Sequence, residues 1–419
     1  MRLSLRAVPA LIVAASLAPL ALLPAPGSGT PLYSTRTGLA CANCHFDPNG
    51  GGPRNAFGFA FAKNRHSMDA ETTGVFKDLD LTNKVSEQLP LYFGVNSRFM
   101  TLVDEEGSSD TSPDRFGFFS METELHLAFQ PHPRLTLVYT TDGFGTDPTP
   151  RVTREAWGMI GLTPNYYLRA GVFRSPFGLR MDDHTVSTRN GFTDFQAFQA
   201  FVLPYDPRIA DQGFELGGSR GQLQGRLAFT NGSSSPLNPP PDPRTHAQTV
   251  AGKIVYAEER YQLGVSGYDQ WAPANGAVST TRADRWGVYA TTHRGPVSLI
   301  GEVVSGTDEV VSFSFPLNVT TKGKLNKLGW FVESDYQASR GVNFRLRYDR
   351  LEGARVSDPA VRDQLSYNRY ALEGEVVPVP FCEFRWTLRL IDPVAAKDPS
   401  GTVDRPNEKQ AYIQAHFSY

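Results

Sequence analysis

From about Leu89 to the C-terminus, apolar and polar positions alternate one by one in runs of strand length. Leu125, Leu127 and Phe129 alternate with Glu124, His126 and Ala128. Phe344, Leu346 and Tyr348 alternate with Arg345, Arg347 and Asp349, and Phe384, Trp386, Leu388 and Leu390 with Arg385, Thr387 and Arg389. A period of two belongs to a β-strand. Charge on one face and apolar or aromatic side chains on the other suit a sheet with lipid outside and water inside. A soluble sandwich or propeller alternates too, so the connections have to decide.

The pattern gives about 16 strands, starting near residues 91, 116, 134, 152, 166, 213, 222, 247, 260, 283, 296, 326, 341, 365, 380 and 409. Short turns at Pro131–Pro133, Thr163–Asn165, Ser219–Gly221, Ala257–Glu259, Arg294–Gly295, Ala338–Arg340 and Pro378–Pro380 alternate with long loops. The loops fall near 105–115, 142–151, 175–212, 231–246, 271–282, 305–325, 353–364 and 393–408. An even strand number with short turns at one rim and long loops at the other is the plan of an outer-membrane barrel. The last segment alternates Ala411, Ile413, Ala415, Phe417 and Tyr419 with polar residues. It resembles the terminal assembly signal of bacterial outer-membrane proteins. The expected fold is therefore all-β: a porin-like transmembrane barrel over 89–419, preceded by a short, partly helical segment.

The N-terminus reads as an address. Arg2 and Arg6 precede an uncharged Leu/Ala-rich run from Ala10 to Leu23, and small residues follow at Ala25 and Gly27 to Gly29. That run matches a signal-peptide core and is shorter than the ~20 residues of a spanning helix. Residues 1–29 are read as a signal peptide and 30–88 as a separate segment.

That segment carries Cys41-Ala42-Asn43-Cys44-His45, a C-x-x-C-H sequence that reads as c-type haem attachment. Two thiols one helical turn apart suit thioether bonds to the two vinyl groups of one haem, and His45 supplies a proximal nitrogen to its iron. A zinc ribbon needs a second pair of thiols, but only Cys382 remains, and it is expected to be a packed strand thiol. Gly50 to Gly52 permit close backbone approach to a flat ligand, and Phe57 and Phe61 fall on one face of a short helix starting near Pro53. The candidates for the distal iron position are His66, slightly preferred, and Met68.

Composition sharpens this picture at a few points. A net charge of −2 over 419 residues argues against a nucleic-acid partner. A mean hydropathy of −0.32 excludes a bundle of membrane helices but not a barrel with a polar lumen. The 32 arginines against 9 lysines suit an anion-favouring lumen, although codon bias gives the same excess. The carboxylates Asp104, Glu105, Glu106, Asp110 and Asp114 could attract cations such as Fe²⁺, although a solvated loop explains them as well. The loop near 175–212, with Pro176-Phe177-Gly178 and Asp182-Asp183-His184, is expected to fold inward, constricting the pore or touching the haem.

A signal peptide, one C-x-x-C-H and a porin-like barrel in a single chain resemble the cytochrome–porin fusions, among them the monohaem outer-membrane iron-oxidising cytochromes. The resemblance covers the whole chain as architecture. Its specific motifs are Cys41 to His45 and Pro176 to Gly178. It implies one covalent haem c in the barrel mouth and electron transfer across the outer membrane. The implied partners are a soluble periplasmic electron carrier, outer-membrane lipid, and Fe(II) or another extracellular donor or acceptor. The alternative is a solute porin whose haem segment is a plug or a redox sensor.

Overall fold

The computed structural model describes residues 31–70, 76, 80–106, 115–142, 153–179, 186–189, 210–232, 248–271, 278–314, 319–355, 366–393, 396–398, 401–403 and 407–419. The signal-peptide reading, Asp110, Asp114 and Asp182 to His184 lie outside these residues.

Three short helices come first: α1 (Pro31–Thr37), α2 (Cys41–Cys44) and α3 (Ala56–Lys63). The strands follow as β1 (Leu91–Glu106), β2 (Arg115–His132), β3 (Leu135–Asp142), β4 (Thr153–Gly161), β5 (Tyr166–Phe173) and β6 (Asp211–Arg220). Next are β7 (Leu223–Thr230), β8 (Gln248–Ala257), β9 (Tyr261–Trp271), β10 (Val278–Arg294), β11 (Val297–Ser314) and β12 (Val319–Ser339). The chain ends with β13 (Val342–Arg355), β14 (Tyr367–Val379), β15 (Cys382–Pro393), the small pair β16 (Ala396–Asp398) and β17 (Gly401–Val403), and β18 (Glu408–Ser418).

All but β16 and β17 form one closed barrel of 16 antiparallel strands in chain order. It closes where β18 pairs with β1, from Asn96↔Ser418 to Glu106↔Glu408. Closure leaves no free sheet edge, so every strand has partners on both sides in a medium without water. Among the described residues no helix is long and apolar enough to cross a membrane.

The strand starts fall within two residues of the sequence pattern, except for β10 and β12. Both begin earlier, at Val278 and Val319, in the β-branched runs Val-Ser-Thr-Thr and Val-Thr-Thr-Lys. Such residues favour extended backbone even where alternation has stopped. The expected long loop at 305–325 is thus mostly strand, with β11 and β12 paired out to Ser314↔Val319.

The side-chain layers are inverted relative to a soluble protein. Phe344, Leu346, Phe384, Trp386, Leu388, Ile413 and Phe417 are exposed, while Arg345, Arg347, Arg385, Gln414 and His416 are buried. Apolar residues thus face outward to lipid and polar ones into the lumen. The consequence is a test of topology. Leu388→Arg puts a charge on the outer face and is expected to cost ~2–4 kcal/mol if the site is near the bilayer centre. Urea titration of folding into lipid vesicles measures it. An unchanged midpoint would remove this strand from the lipid span.

One rim is made of short turns. Gly295 and Gly341 sit in such turns with φ of 58° and 67°, a left-handed conformation that other residues rarely adopt. The N-terminal segment sits at this rim. Gly38 lies against the backbone of Glu259, and the Arg65 Cβ lies beside Gly341. Phe59 packs on Phe381 and Tyr419 at centroid distances of 4.8 and 5.1 Å. Leu32 reaches further in, to a buried cluster of Val255, Ala257, Tyr289, Ile300 and Phe331.

Candidate functional site

The cysteine pair sits on α2, a single helical turn. The Asn43 Oδ1 accepts from the Ala40 N–H at 3.2 Å, and the His45 N–H donates to the Cys41 carbonyl at 2.8 Å. Neither thiol is in a disulfide; Cys41 is buried and Cys44 half-buried. Burial, helped by the neighbouring Cys41, pushes the Cys44 thiol up to about 11. The next helix clamps this turn. Asn55 caps α3 by accepting from the Gly58 N–H at 3.0 Å, and its Nδ2 donates to the Asn43 carbonyl at 2.9 Å. Gly58 lies so close that a Cβ there would collide with the Cys44 backbone.

Gly50, Gly51 and Gly52 all adopt positive φ, at 86°, 74° and 63°. They turn the chain so that His45 pairs with Arg54 as a β-bridge. Their conformational freedom is used by the turn itself. Phe57 is exposed, whereas Phe61 is half-buried against Tyr33 and His66.

The loop after His45 is bolted to the barrel wall. Asp47 is buried and accepts from Arg169 Nη1 at 2.8 Å, while Arg169 Nη2 donates to Glu215 at 2.8 Å. Tyr167 Oη and Asn49 Nδ2 also donate to Glu215, at 2.6 and 3.3 Å. Arg226 donates to the Pro48 carbonyl at 2.7 Å. The Arg169 guanidinium lies over the Phe173 ring at 4.3 Å. Phe46 enters an apolar cluster with Ala128, Val138, Trp157, Phe173 and Ala228.

His66 lies at the wall formed by β14, β15 and β18. Its Nδ1 is 2.6 Å from Tyr33 Oη, and its ring is within 4.8 Å of carboxylate oxygens of Glu375 and Glu383. Desolvation pushes the imidazole down to about 4, so the ring is neutral near pH 7. Met68 is 54 % exposed. The two distal candidates therefore have different surroundings: one is held by polar partners, the other faces solvent.

The third long loop folds inward over its described parts. Phe177, Leu179, Val186, Ser187, Thr188 and Arg189 are all buried. Glu302 on β11 accepts from the Leu179 N–H, Thr188 Oγ1 and Arg189. Ser187 donates to Asp349 and the Trp330 carbonyl. Leu179 and Val186 share a cluster with Leu32. Loop and N-terminal segment thus meet inside the lumen.

Lumen arginines are matched by carboxylates. Arg345 pairs with Asp335, Glu373 and Glu375. Arg347 pairs with Glu333 and Glu373, and Arg385 with Glu375 and Glu383. The Arg excess is therefore not a bare anion-attracting wall over these strands. Cys382 is buried at the start of β15.

Sequence reading named Cys41, Cys44 and His45, which the structure places on and just after one helical turn, and the inward loop. It missed Arg169, Glu215, Glu302, Glu375 and Glu383. Each is one of many polar residues at lumen-facing positions, and nothing local separates it from the rest.

No protein-family model matches the chain, and no curated protein matches it in sequence. Solved structures match its fold. The anion-selective porin from Comamonas acidovorans superposes with a TM-score of 0.54 at 8 % identity, over 78 % of this chain and 99 % of the porin. The outer membrane channel DcaP of Acinetobacter baumannii gives 0.53 at 13 %, over 78 % and 97 %. Salmonella typhi OmpF, solved in complex with daunomycin, gives 0.52 at 12 %, over 78 % and 97 %. At such identities the likeness establishes a shared architecture: the chain has the fold of a porin-like outer-membrane β-barrel.

Proposed function

We propose that the chain is an outer-membrane electron-transfer protein that carries one haem c on Cys41, Cys44 and His45 in the mouth of its barrel. The observation that carries this reading is a C-x-x-C-H turn fixed at the barrel mouth by buried ion pairs. The donor set fits the group: two thiols outside any disulfide on one helical turn, followed at once by an imidazole. When bound, the haem supplies a one-electron carrier. The protein's own part is positional. Arg169 and Arg226 hold the segment from Asp47 to Asn49, and α3 braces the cysteine turn. His66 and Met68 are the candidates for the sixth iron position.

In the usual porin orientation the short-turn rim faces the periplasm. The segment is then within reach of a soluble periplasmic electron carrier, and the long loops face outside, toward Fe(II) or another donor or acceptor. The test uses intact cells. The double variant Cys41→Ala/Cys44→Ala is expected to abolish covalent haem staining of the gel band and the haem absorbance change on adding Fe(II). Haem staining retained in the double variant would overturn the attachment. A wild-type haem that Fe(II) does not reduce would remove Fe(II) as donor.

A second reading is favoured by the barrel itself, whose fold matches proteins described as a porin and a channel. In it the chain is a solute pore and residues 31–70 are its plug. Liposome swelling comparable to that of an open porin supports it. The inward loop and the N-terminal segment, which meet at Leu32, Leu179 and Val186, favour low flux instead.

A further inference from the structure

We propose that His66, Glu375 and Glu383 form a binding site for a divalent first-row transition cation on the lumen wall. His66 comes from the bend after α3, and Glu375 and Glu383 from the far-off hairpin of β14 and β15. One ligand atom from each lies within 4.8 Å of the others. Three ligands ~2.0–2.2 Å from one ion stand ~3.3–3.8 Å apart in tetrahedral or trigonal geometry, so the site closes by up to about 1 Å on binding. One imidazole and two carboxylates suit Mn²⁺, Fe²⁺, Co²⁺ or Zn²⁺ better than Cu(I), which prefers sulfur, or Ca²⁺, which prefers oxygen alone.

The outer partners are those a metal site needs. Tyr33 Oη, 2.6 Å from His66 Nδ1, accepts the Nδ1–H when the Nε2 lone pair is the ligand. Asn343 holds Glu375 Oε1 at 2.6 Å, and Arg345 holds Oε2 at 2.8 Å. Arg385 holds Glu383 Oε1 at 2.8 Å. Glu383 Oε2 lies 3.7 Å from His416 Nδ1. Both carboxylates are buried, at 2 % and 6 % exposure, and so have limited access to competing water. Arg345 and Arg385 also repel a cation, which weakens the site but orients its oxygens. Arg65 and His66 both hold left-handed backbone, with φ of 53° and 57°. This pair sets the imidazole toward the wall.

The inference does not need the haem, but it competes with the haem reading for His66. It assigns His66 to the cation and leaves Met68 as the candidate for the distal haem position. The experiment is a titration of the chelator-treated full chain, folded in detergent, with Mn²⁺ followed by electron paramagnetic resonance. One equivalent is expected to bind, and His66→Gln and Glu383→Gln are each expected to weaken binding at least tenfold. Heat-modifiable gel mobility checks that each variant is folded. If either fails, Tyr33→Phe keeps the ring packing and is expected to weaken binding about tenfold through the outer shell. No saturable binding by the wild type, or wild-type affinity in the folded variants, overturns the site. So does a His66→Gln protein that keeps its Mn²⁺ affinity but changes its haem absorption bands, since His66 would then belong to the haem.

Discussion

Arg169→Ala is expected to free the N-terminal segment from the barrel wall while the barrel stays folded. The guanidinium is fully buried between Asp47 and Glu215, which are 1 % and 0 % exposed. Removing it takes from two buried carboxylates the cation that pairs with both, and breaking such a buried pair costs about 3–5 kcal/mol. It also removes the cation stacked on Phe173. The wall strands β4 to β6 keep their continuous hydrogen-bond ladders, so the loss is concentrated on the docked loop. Hydrogen exchange reads it directly. The Asn49 and Gly50 amides, which Asp47 holds at 2.7 and 2.9 Å, are expected to exchange at least about a hundredfold faster. Arg169→Lys is expected to recover little, because one ammonium does not reproduce a planar fork that bonds two carboxylates at once. Unchanged exchange in Arg169→Ala would mean that Phe46 and its apolar cluster hold the segment alone.

The barrel was legible in the sequence because lipid imposes a rule at every second residue. Leu346 and Leu388 have to be apolar to face it, and the neighbours Arg345 and Thr387 are free to be polar. That rule is local and repeats in each strand, so strand starts follow from it. It stops at the membrane boundary, which is why the early starts of β10 and β12 and the small pair β16–β17 escaped. The C-x-x-C-H sequence stands out for a similar reason: its five residues are consecutive, and the cysteines share one helical turn. The lumen contacts were not legible. Asp47 meets Arg169 across 122 residues, and Leu179 meets Glu302 across 123. Which polar residues meet inside a barrel depends on strand tilt and stagger, and these are properties of the closed sheet. The Arg excess misled for the same reason, since composition counts charges without saying that Arg345 faces Asp335 and Glu375.

Glu302→Ala is expected to release the inward loop and raise ion flux through the lumen. One carboxylate gathers the loop: Oε1 accepts from the Leu179 N–H at 2.8 Å and from Arg189 Nη2 at 2.9 Å. Oε2 accepts from Thr188 Oγ1 at 2.8 Å and pairs with Arg189 Nη1 at 2.9 Å. Arg189 is fully buried, so losing its counter-ion costs about 3–5 kcal/mol, most of it borne by the loop. Other pins remain, among them the Ser187 Oγ bond to the Trp330 carbonyl at 2.8 Å. Gly178 and Ser187 donate to Ser266 and Asp349 at 3.1 and 3.2 Å, and Lys253 reaches the Gly178 carbonyl. Gly329 lets the loop pass against β12, since a Cβ there would collide with the Ser187 backbone. Gly329→Ala is therefore expected to act in the same direction as Glu302→Ala. Planar-bilayer conductance measures the opening. Because Leu179 and Val186 share their cluster with Leu32, loop release also withdraws packing from α1. Hydrogen exchange at the Gly38 amide, which bonds the Ser34 carbonyl at the end of α1, is expected to rise with the conductance. Faster exchange at Gly38 without added conductance would mean that the N-terminal segment still blocks the lumen after the loop has left.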